Sequence, residues 1–103
     1  WTPDYLARAA ALAAAAPDVQ SVFCDLKYVR DGVWDERTKF ADAPPGYWDG
    51  TFIAVGSDRV YRESFYRRVF HFNPVYPSST ILRRSTFDAL GGYTAALSRL
   101  GPE

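Results

Sequence analysis

The segment spanning residues 73–93 constrains the fold of this chain more than any other stretch. Pro74 and Pro77 stiffen its beginning, because a proline ring restricts the backbone angle φ and removes an amide hydrogen. The residues that follow predict a short strand over 79–83, a short helix capped by Ser85, and a glycine pair that ends this helix. Polar side chains are crowded where the loop meets the strand, which is typical of substrate pockets.

The composition indicates a folded chain with its own core. Hydrophobic residues make up 48% of the 103 residues and aromatic residues 17%, which is far from the composition of a disordered segment. A chain of this length is one domain or part of one. Twelve lysines and arginines balance twelve aspartates and glutamates, so no net field attracts a polyanion. We therefore expect no nucleic-acid partner.

The sequence also bears on location. No apolar run approaches the ~20 residues that a membrane helix needs, so we expect no transmembrane segment in this chain. Cys24 is the only cysteine, which excludes an internal disulfide and a zinc site built from cysteines. We expect a cytoplasmic location, with any attachment to the inner face of a membrane made by parts outside this chain. Because the sequence contains no methionine, we interpret it as an excised fragment.

The start of the chain has the pattern of a helix. Thr2 can cap free backbone amides, Pro3 suits the first helical position, and Asp4 favours the positive end of the helix dipole. The alanine-rich continuation has high helix propensity up to about Ala16. Pro17 then ends the predicted helix, because the residue before a proline is disfavoured in helical geometry.

The middle of the chain predicts two strands and a second helix. Apolar and polar residues alternate over 22–28, which indicates a half-buried strand. Asp31-Gly32 predicts a tight turn into a return strand over 33–40. From Ser57 or Asp58 to about Phe70, apolar residues recur at helical spacing. The predicted fold class is α/β, or α+β as an isolated piece, with a small mixed sheet packed by helices.

Two reactive side chains have structural interpretations that we favour over catalytic ones. His71 lies between two phenylalanines, and no second histidine or close carboxylate pair completes a site around it in the sequence. Cys24 falls on the apolar face of its predicted strand, where burial as a small hydrophobic side chain is expected.

Arg83 and Arg84 are candidates for binding an anion, because guanidinium groups match phosphates and carboxylates. We expect one of them to bind a pyrophosphate or an anionic acceptor and the other to pair with a carboxylate. The Gly91-Gly92 pair has two interpretations: an ordinary helix end, or a place where backbone amides approach a ligand.

The order of these elements resembles that of the family 2 glycosyltransferases, which have the GT-A fold. Trp1-Thr2-Pro3-Asp4 resembles the residues that follow the family's Asp-x-Asp metal motif. Pro77-Ser78-Ser79 with Arg83-Arg84, and the segment 87–93 with its Gly-Gly turn, resemble the acceptor side. Glu103 resembles the first residue of a Glu-Asp pair whose aspartate is expected to be the general base.

The resemblance implies that residues 1–103 are a single partial domain, the acceptor-side half of a GT-A-like glycosyltransferase domain. The parent enzyme would transfer a sugar from a nucleotide-sugar donor to a hydroxyl of a carbohydrate or lipid-linked acceptor. Glu103 would neighbour the catalytic base. The substrate-binding residues implied in this way are Trp1, Ser78, Ser79, Arg83, Arg84, Gly91, Gly92 and Tyr93.

The resemblance also implies a Mg²⁺ or Mn²⁺ ion in the full-length enzyme, where it neutralises the leaving nucleoside diphosphate. The Asp-x-Asp motif and the base lie outside this sequence. We therefore expect this chain by itself to bind no metal and to be inactive.

An alternative interpretation comes from a different class of protein. The chain would be a non-catalytic α+β module whose aromatic loop from Tyr47 to Phe52 holds a carbohydrate or a peptide. If the chain was cut from a larger sheet, its strands at 22–28 and 79–83 have exposed edges. Such edges predict a homodimer or a larger species.

Overall fold

The alanine-rich segment forms the first helix, α1 (Tyr5–Ala15), in the computed structural model, which describes residues 1–94. The predicted helix and its end before Pro17 are confirmed. The predicted cap is wrong, because Asp4 occupies the N-cap position and makes no side-chain capping hydrogen bond. Thr2 contributes its carbonyl oxygen instead, which accepts the Tyr5 amide at 3.1 Å.

The strand predicted over 22–28 is interrupted in the middle. It forms β1 (Ser21–Phe23) and β2 (Lys27–Arg30), which belong to different sheets. The interruption has a local cause at Asp25, whose carboxylate accepts the backbone amides of Leu26 and Phe40, each at 2.8 Å. A short polar side chain that binds backbone amides in this way competes with a strand ladder.

The hairpin predicted at Asp31-Gly32 is confirmed. β2 pairs antiparallel with β3 (Val33–Thr38), and the two turn residues have φ angles of +49° and +76°. Two positive φ angles are typical of the type I′ turn, which matches the twist of the flanking strands. The return strand ends at Thr38 because a 3₁₀ turn (Phe40–Asp42) follows it.

The long helix predicted from Ser57 or Asp58 is wrong over its first half. β4 (Phe52–Val55) and β5 (Asp58–Tyr61) form a second hairpin around Gly56-Ser57. Gly56 has a φ of +61° at the first loop position, where tight hairpin turns favour glycine. Only α2 (Tyr66–His71) is helical in this region.

The last described elements follow the predicted order. A 3₁₀ turn (Pro77–Ser79) leads into β6 (Thr80–Leu82), which pairs antiparallel with β1, and then into α3 (Arg84–Ala89). Ser85 does not cap α3, because the helix begins one residue before it and Arg83 occupies the N-cap position.

The architecture is α+β, with helices beside small antiparallel sheets. Residues 1–94 form three separate two-stranded sheets, in place of the single mixed sheet that the sequence predicts. Two of these sheets are hairpins, whose two-residue loops allow only antiparallel pairing. Within the described part of the chain, none of the helices is long and apolar enough to cross a membrane.

Helix α1 packs on the second hairpin. Leu12, Ala16 and Val60 form this small core, and each is at most 9% exposed. Arg8 on α1 also pairs with Asp58 at the start of β5. The half-buried Val19, Val22 and Val55 pack against this core and remove more apolar surface from water.

A second core consists of aromatic rings from distant parts of the chain. Its edge-to-face and tilted contacts have centroid separations between 4.5 Å (Phe40 and Trp48) and 6.4 Å (Trp48 and Phe65). Arg68 lies against it and donates to the carbonyl of Asp49 at 2.7 Å. We call this group the aromatic cluster: Phe23, Phe40, Tyr47, Trp48, Phe65 and Phe72.

Candidate functional site

The indole of Trp1 is joined to the 3₁₀ turn at Ser78. Its Nε1–H donates to the Ser78 carbonyl oxygen at 2.7 Å, across 77 positions of the sequence. The indole ring also meets the ring of Tyr5 edge to face, with centroids 5.5 Å apart. Most of the Trp1 side chain remains open, because the residue is 75% exposed.

Tyr5 is hydrogen-bonded to the same 3₁₀ turn. Its hydroxyl donates to the Ser79 carbonyl oxygen at 2.5 Å, and Ser79 is fully buried. The Ser79 hydroxyl in turn donates to the Tyr76 carbonyl at 3.0 Å. Burial, with a smaller effect of the adjacent Cys24, raises the pKa of Tyr5 to about 12, so the hydroxyl stays protonated as a donor at neutral pH.

Arg83 is engaged with backbone groups rather than with a carboxylate. Its guanidinium donates to the carbonyl of Ala13 at 2.9 Å and to the carbonyl of Val19. Arg84 pairs with Asp88, one helical turn away, at 3.0 Å, and its side chain is 86% exposed. Arg84 is therefore the arginine that pairs with a carboxylate, and binding of an anion by either arginine stays a prediction.

Gly91 and Gly92 end α3 in a Schellman arrangement. The amide of Gly91 donates to the Asp88 carbonyl at 3.1 Å, and the amide of Gly92 donates to the Phe87 carbonyl at 3.0 Å. Both glycines have positive φ angles. The interpretation of the glycine pair as a helix end is confirmed. The amides of both glycines donate hydrogen bonds to carbonyls of α3. Tyr93 is 90% exposed, and its ring meets that of Phe87.

The structure thus joins three of the predicted site residues, Trp1, Ser78 and Ser79, and gives structural contacts to Arg83 and the glycine pair. Glu103 lies outside the described residues. Tyr5 links Trp1 to Ser79, and sequence reasoning missed it. Trp1 lies before the first residue of α1, so helical spacing gave no signal for this contact.

The alternative interpretation assigns ligand binding to the aromatic loop from Tyr47 to Phe52, and the first two rings of this loop pack into the core. Tyr47 is 8% exposed and donates to the Phe72 carbonyl at 2.9 Å. The indole N–H of Trp48 donates to the Phe40 carbonyl at 3.1 Å. The buried Tyr47 and the half-buried Trp48 therefore contribute to the core, whereas Phe52 is 37% exposed.

The two reactive side chains have different surroundings. Cys24 is half-buried beside Tyr5, as a small packed side chain is expected to be. His71 is exposed, so the packed imidazole predicted from the sequence is wrong. It borders an open groove of about 330 Å³ that is also lined by Pro44, Pro45, Gly46, Tyr47 and Arg68.

Among residues 1–94, the carboxylates, His71 and Cys24 do not come together in any group of three that could hold a metal ion. The divalent ion implied by the resemblance therefore has no fitting ligand set in this part of the chain.

No family model, curated protein or solved structure matches the chain.

Proposed function

We propose that this chain is the acceptor-side part of a glycosyltransferase of the family 2 type. The observation that supports the proposal is the hydrogen bond between Trp1 and Ser78. It joins the segment that resembles the residues after the Asp-x-Asp motif to the Pro-Ser-Ser segment that resembles the acceptor side. In an enzyme of this kind the two segments have to meet, because donor and acceptor react at one point.

In this proposal the described residues bind and orient the acceptor. Ser78 is exposed on the turn, while the buried Ser79 and Tyr5 hold the backbone in place. Precise orientation of an acceptor hydroxyl lowers the entropic part of the reaction barrier. The base that removes the proton of this hydroxyl is the aspartate implied after Glu103, and the metal ligands are likewise implied outside residues 1–94.

The two arginines take different roles. Arg83 connects β6 to the end of α1 through backbone carbonyls. Within residues 1–94, Arg84 pairs with the solvent-exposed Asp88, and an exposed pair of this kind contributes little to stability. Arg84 is therefore the one that can exchange its partner for an anionic group of an acceptor.

The first experiment is a transfer assay on the full-length protein that carries this sequence. We expect release of a nucleoside diphosphate from a nucleotide-sugar, dependent on Mn²⁺ or Mg²⁺ and on an added acceptor. The isolated chain should bind no nucleotide-sugar at micromolar concentration in calorimetry. Metal-dependent donor binding by the isolated chain would contradict the division of roles, and the absence of transfer across the common donors would contradict the function.

A matched pair of variants tests the role of Arg84. Arg84→Gln should raise the acceptor KM if the acceptor is anionic, whereas Arg30→Gln, which changes an exposed arginine on β2, should not. Sugar binding by the full-length protein without any transfer would favour the alternative, a non-catalytic carbohydrate-binding module.

A further inference from the structure

We propose that Lys39 is the centre of a binding site for a phosphate group, carried either by a soluble phosphate ester or by a lipid headgroup. Three properties carry the inference: the ammonium of Lys39 is held in place, it has no carboxylate partner in residues 1–94, and the charges around it are positive in sum. Phosphate binding at this place does not rest on the proposed function. The residues of the site, which we call the Lys39 site, are Tyr28, Arg37, Lys39, Asp42, Phe72 and Tyr76.

Two aromatic rings hold the ammonium. Nζ of Lys39 lies 4.5 Å from the ring centroid of Phe72 and 5.6 Å from that of Tyr76. Both separations are within the range in which an aromatic ring attracts a cation. Lys39 is also half-buried, so its long side chain has less freedom to lose when an anion binds.

The same ammonium has no carboxylate partner among residues 1–94. Every ion pair in this part of the chain has an arginine as its cation. Asp25 reaches the residue next to Lys39, but its carboxylate accepts the amides of Leu26 and Phe40. Because an ammonium has three N–H donors and the rings offer no carboxylate oxygen, Lys39 retains donors for a ligand.

Asp42 brings a negative charge to the Lys39 site, and this charge is balanced. Its carboxylate accepts the Tyr28 hydroxyl at 3.0 Å and pairs with Arg37 at 3.4 Å. Burial and the hydrogen bond to Asp42 raise the pKa of Tyr28, whereas the positive charge of Lys39 lowers it, so Lys39 lies close to this hydroxyl. Arg37 and Lys39 together outweigh Asp42, which leaves the site with a net positive charge.

The residue types favour a phosphate over a carboxylate. A carboxylate is best bound by the two-pronged guanidinium of an arginine, and Arg37 already holds Asp42. A lysine binds phosphate as a compact point charge. The hydroxyl of Tyr76, which is 38% exposed, is a further donor beside Lys39 for a phosphate oxygen.

Protection of lysines from acetylation tests the inference on the full-length protein. Lys27 on β2 is the internal control, because it is exposed and is the other lysine of this chain. The reagent is the N-hydroxysuccinimide ester of acetic acid, and mass spectrometry of the peptides measures both rates. Inorganic phosphate, compared with chloride at equal ionic strength, should slow acetylation of Lys39 about fivefold near saturation and leave Lys27 unchanged. Equal protection of the two lysines, or no protection of Lys39, overturns the inference.

Three variants test the same site by calorimetry with inorganic phosphate. Lys39→Gln should weaken binding about tenfold, because it removes a charge-assisted hydrogen bond. Lys39→Arg retains the positive charge and should weaken binding less. Lys27→Gln is the matched control and should leave the affinity unchanged. If Lys39→Gln weakens binding no more than Lys27→Gln or Lys39→Arg does, the inference is overturned.

Two further probes in the acetylation experiment identify the source of the phosphate. Protection of Lys39 at lower concentrations of glucose 1-phosphate than of inorganic phosphate supports a soluble ester. Protection by vesicles of phosphatidylcholine with phosphatidic acid, but not by phosphatidylcholine alone, supports a lipid headgroup. Protection by inorganic phosphate alone shows an adventitious ion only and overturns the inference.

The transfer assay separates this inference from the proposed function. Phosphate binding that depends on Lys39 in a protein without transferase activity supports the Lys39 site and contradicts the function. Transfer by a protein whose Lys39 is not protected by any of the phosphate probes supports the function and overturns the site.

Discussion

Arg83 donates a guanidinium hydrogen bond to the carbonyl oxygen of Ala13 at 2.9 Å, across 70 positions of the sequence. Ala13 lies in the last turn of α1, whose final carbonyls have no partner within the helix. Since Arg83 also donates to Val19, one side chain connects β6 to both the helix and the segment that follows it.

We expect Arg83→Gln to lower the free energy of unfolding by about 2 kcal/mol, because the shorter side chain leaves partly buried carbonyls without a charged donor. Urea denaturation measures this change. Arg84→Gln is the control and should cost less than about 0.5 kcal/mol, since it removes only an exposed pair. Equal losses in the two variants would contradict a structural role for Arg83.

Two leucines of α1 test the first core. Leu12→Ala should lower the free energy of unfolding by about 2 to 4 kcal/mol, because it leaves a cavity beside Val60 and Ala16. Leu6→Ala, on the same helix but 58% exposed, should cost less than about 1 kcal/mol. Urea midpoints of the two variants make the comparison, and similar values would show that α1 does not pack on the second hairpin.

The raised pKa of Tyr5 predicts a loss of stability at alkaline pH. The folded chain holds this proton up to about pH 12, whereas the unfolded chain releases it near the ordinary value of 10.0. The unfolded state therefore binds fewer protons between these two values, and the contribution of Tyr5 to stability, present below pH 10, falls as the pH rises through this window.

Tyr5→Phe removes this contribution. Its free energy of unfolding should decline less steeply than that of the parent chain between pH 10 and 12, as measured by urea denaturation at a series of pH values. Tyr66→Phe is a suitable control, because Tyr66 is 70% exposed and lies on α2. An unchanged slope in Tyr5→Phe would refute the prediction.

The glycine pair after α3 gives a test of local geometry. Gly91→Ala should cost about 1 kcal/mol, because alanine is unfavourable at a φ of +81° but meets no atom within 4 Å. Gly92→Ala should cost more, since its Cβ would also lie 3.2 Å from the Phe87 ring. Thermal unfolding of the pair measures the difference, and the opposite order would contradict the described packing of Phe87.

Some elements of this fold follow from local rules and are visible in the sequence. The alanine run and Pro17 predict the span of α1, and Asp31-Gly32 predicts the first hairpin. The pair Gly91-Gly92 predicts the end of α3. In each case the preference belongs to a few neighbouring residues, so no distant contact is needed to decide it.

The segment from Asp58 to Phe70 shows where local rules are insufficient. Its apolar spacing suits a helix, and the Gly56-Ser57 hairpin signal competes with that pattern. The strand forms because every residue of β5 pairs with a residue of β4 and because Val60 is buried against Leu12. Contacts with distant residues outweigh small differences in helix propensity.

The candidate site divides in the same way. The family resemblance of the sequence implied Trp1, Ser78 and Ser79 among eight substrate-binding residues, and that role stays a prediction. The sequence by itself showed that the chain carries no net charge to attract a polyanion. Only the tertiary structure decided that Trp1 donates to the Ser78 carbonyl and that Tyr5 contacts the Trp1 ring and donates to the Ser79 carbonyl. The same is true of the hydrogen bond from Arg83 to the Ala13 carbonyl in α1. The physical reason is that a hydrogen bond across 77 positions depends on how helices and strands pack, and a local pattern contains no information about that packing.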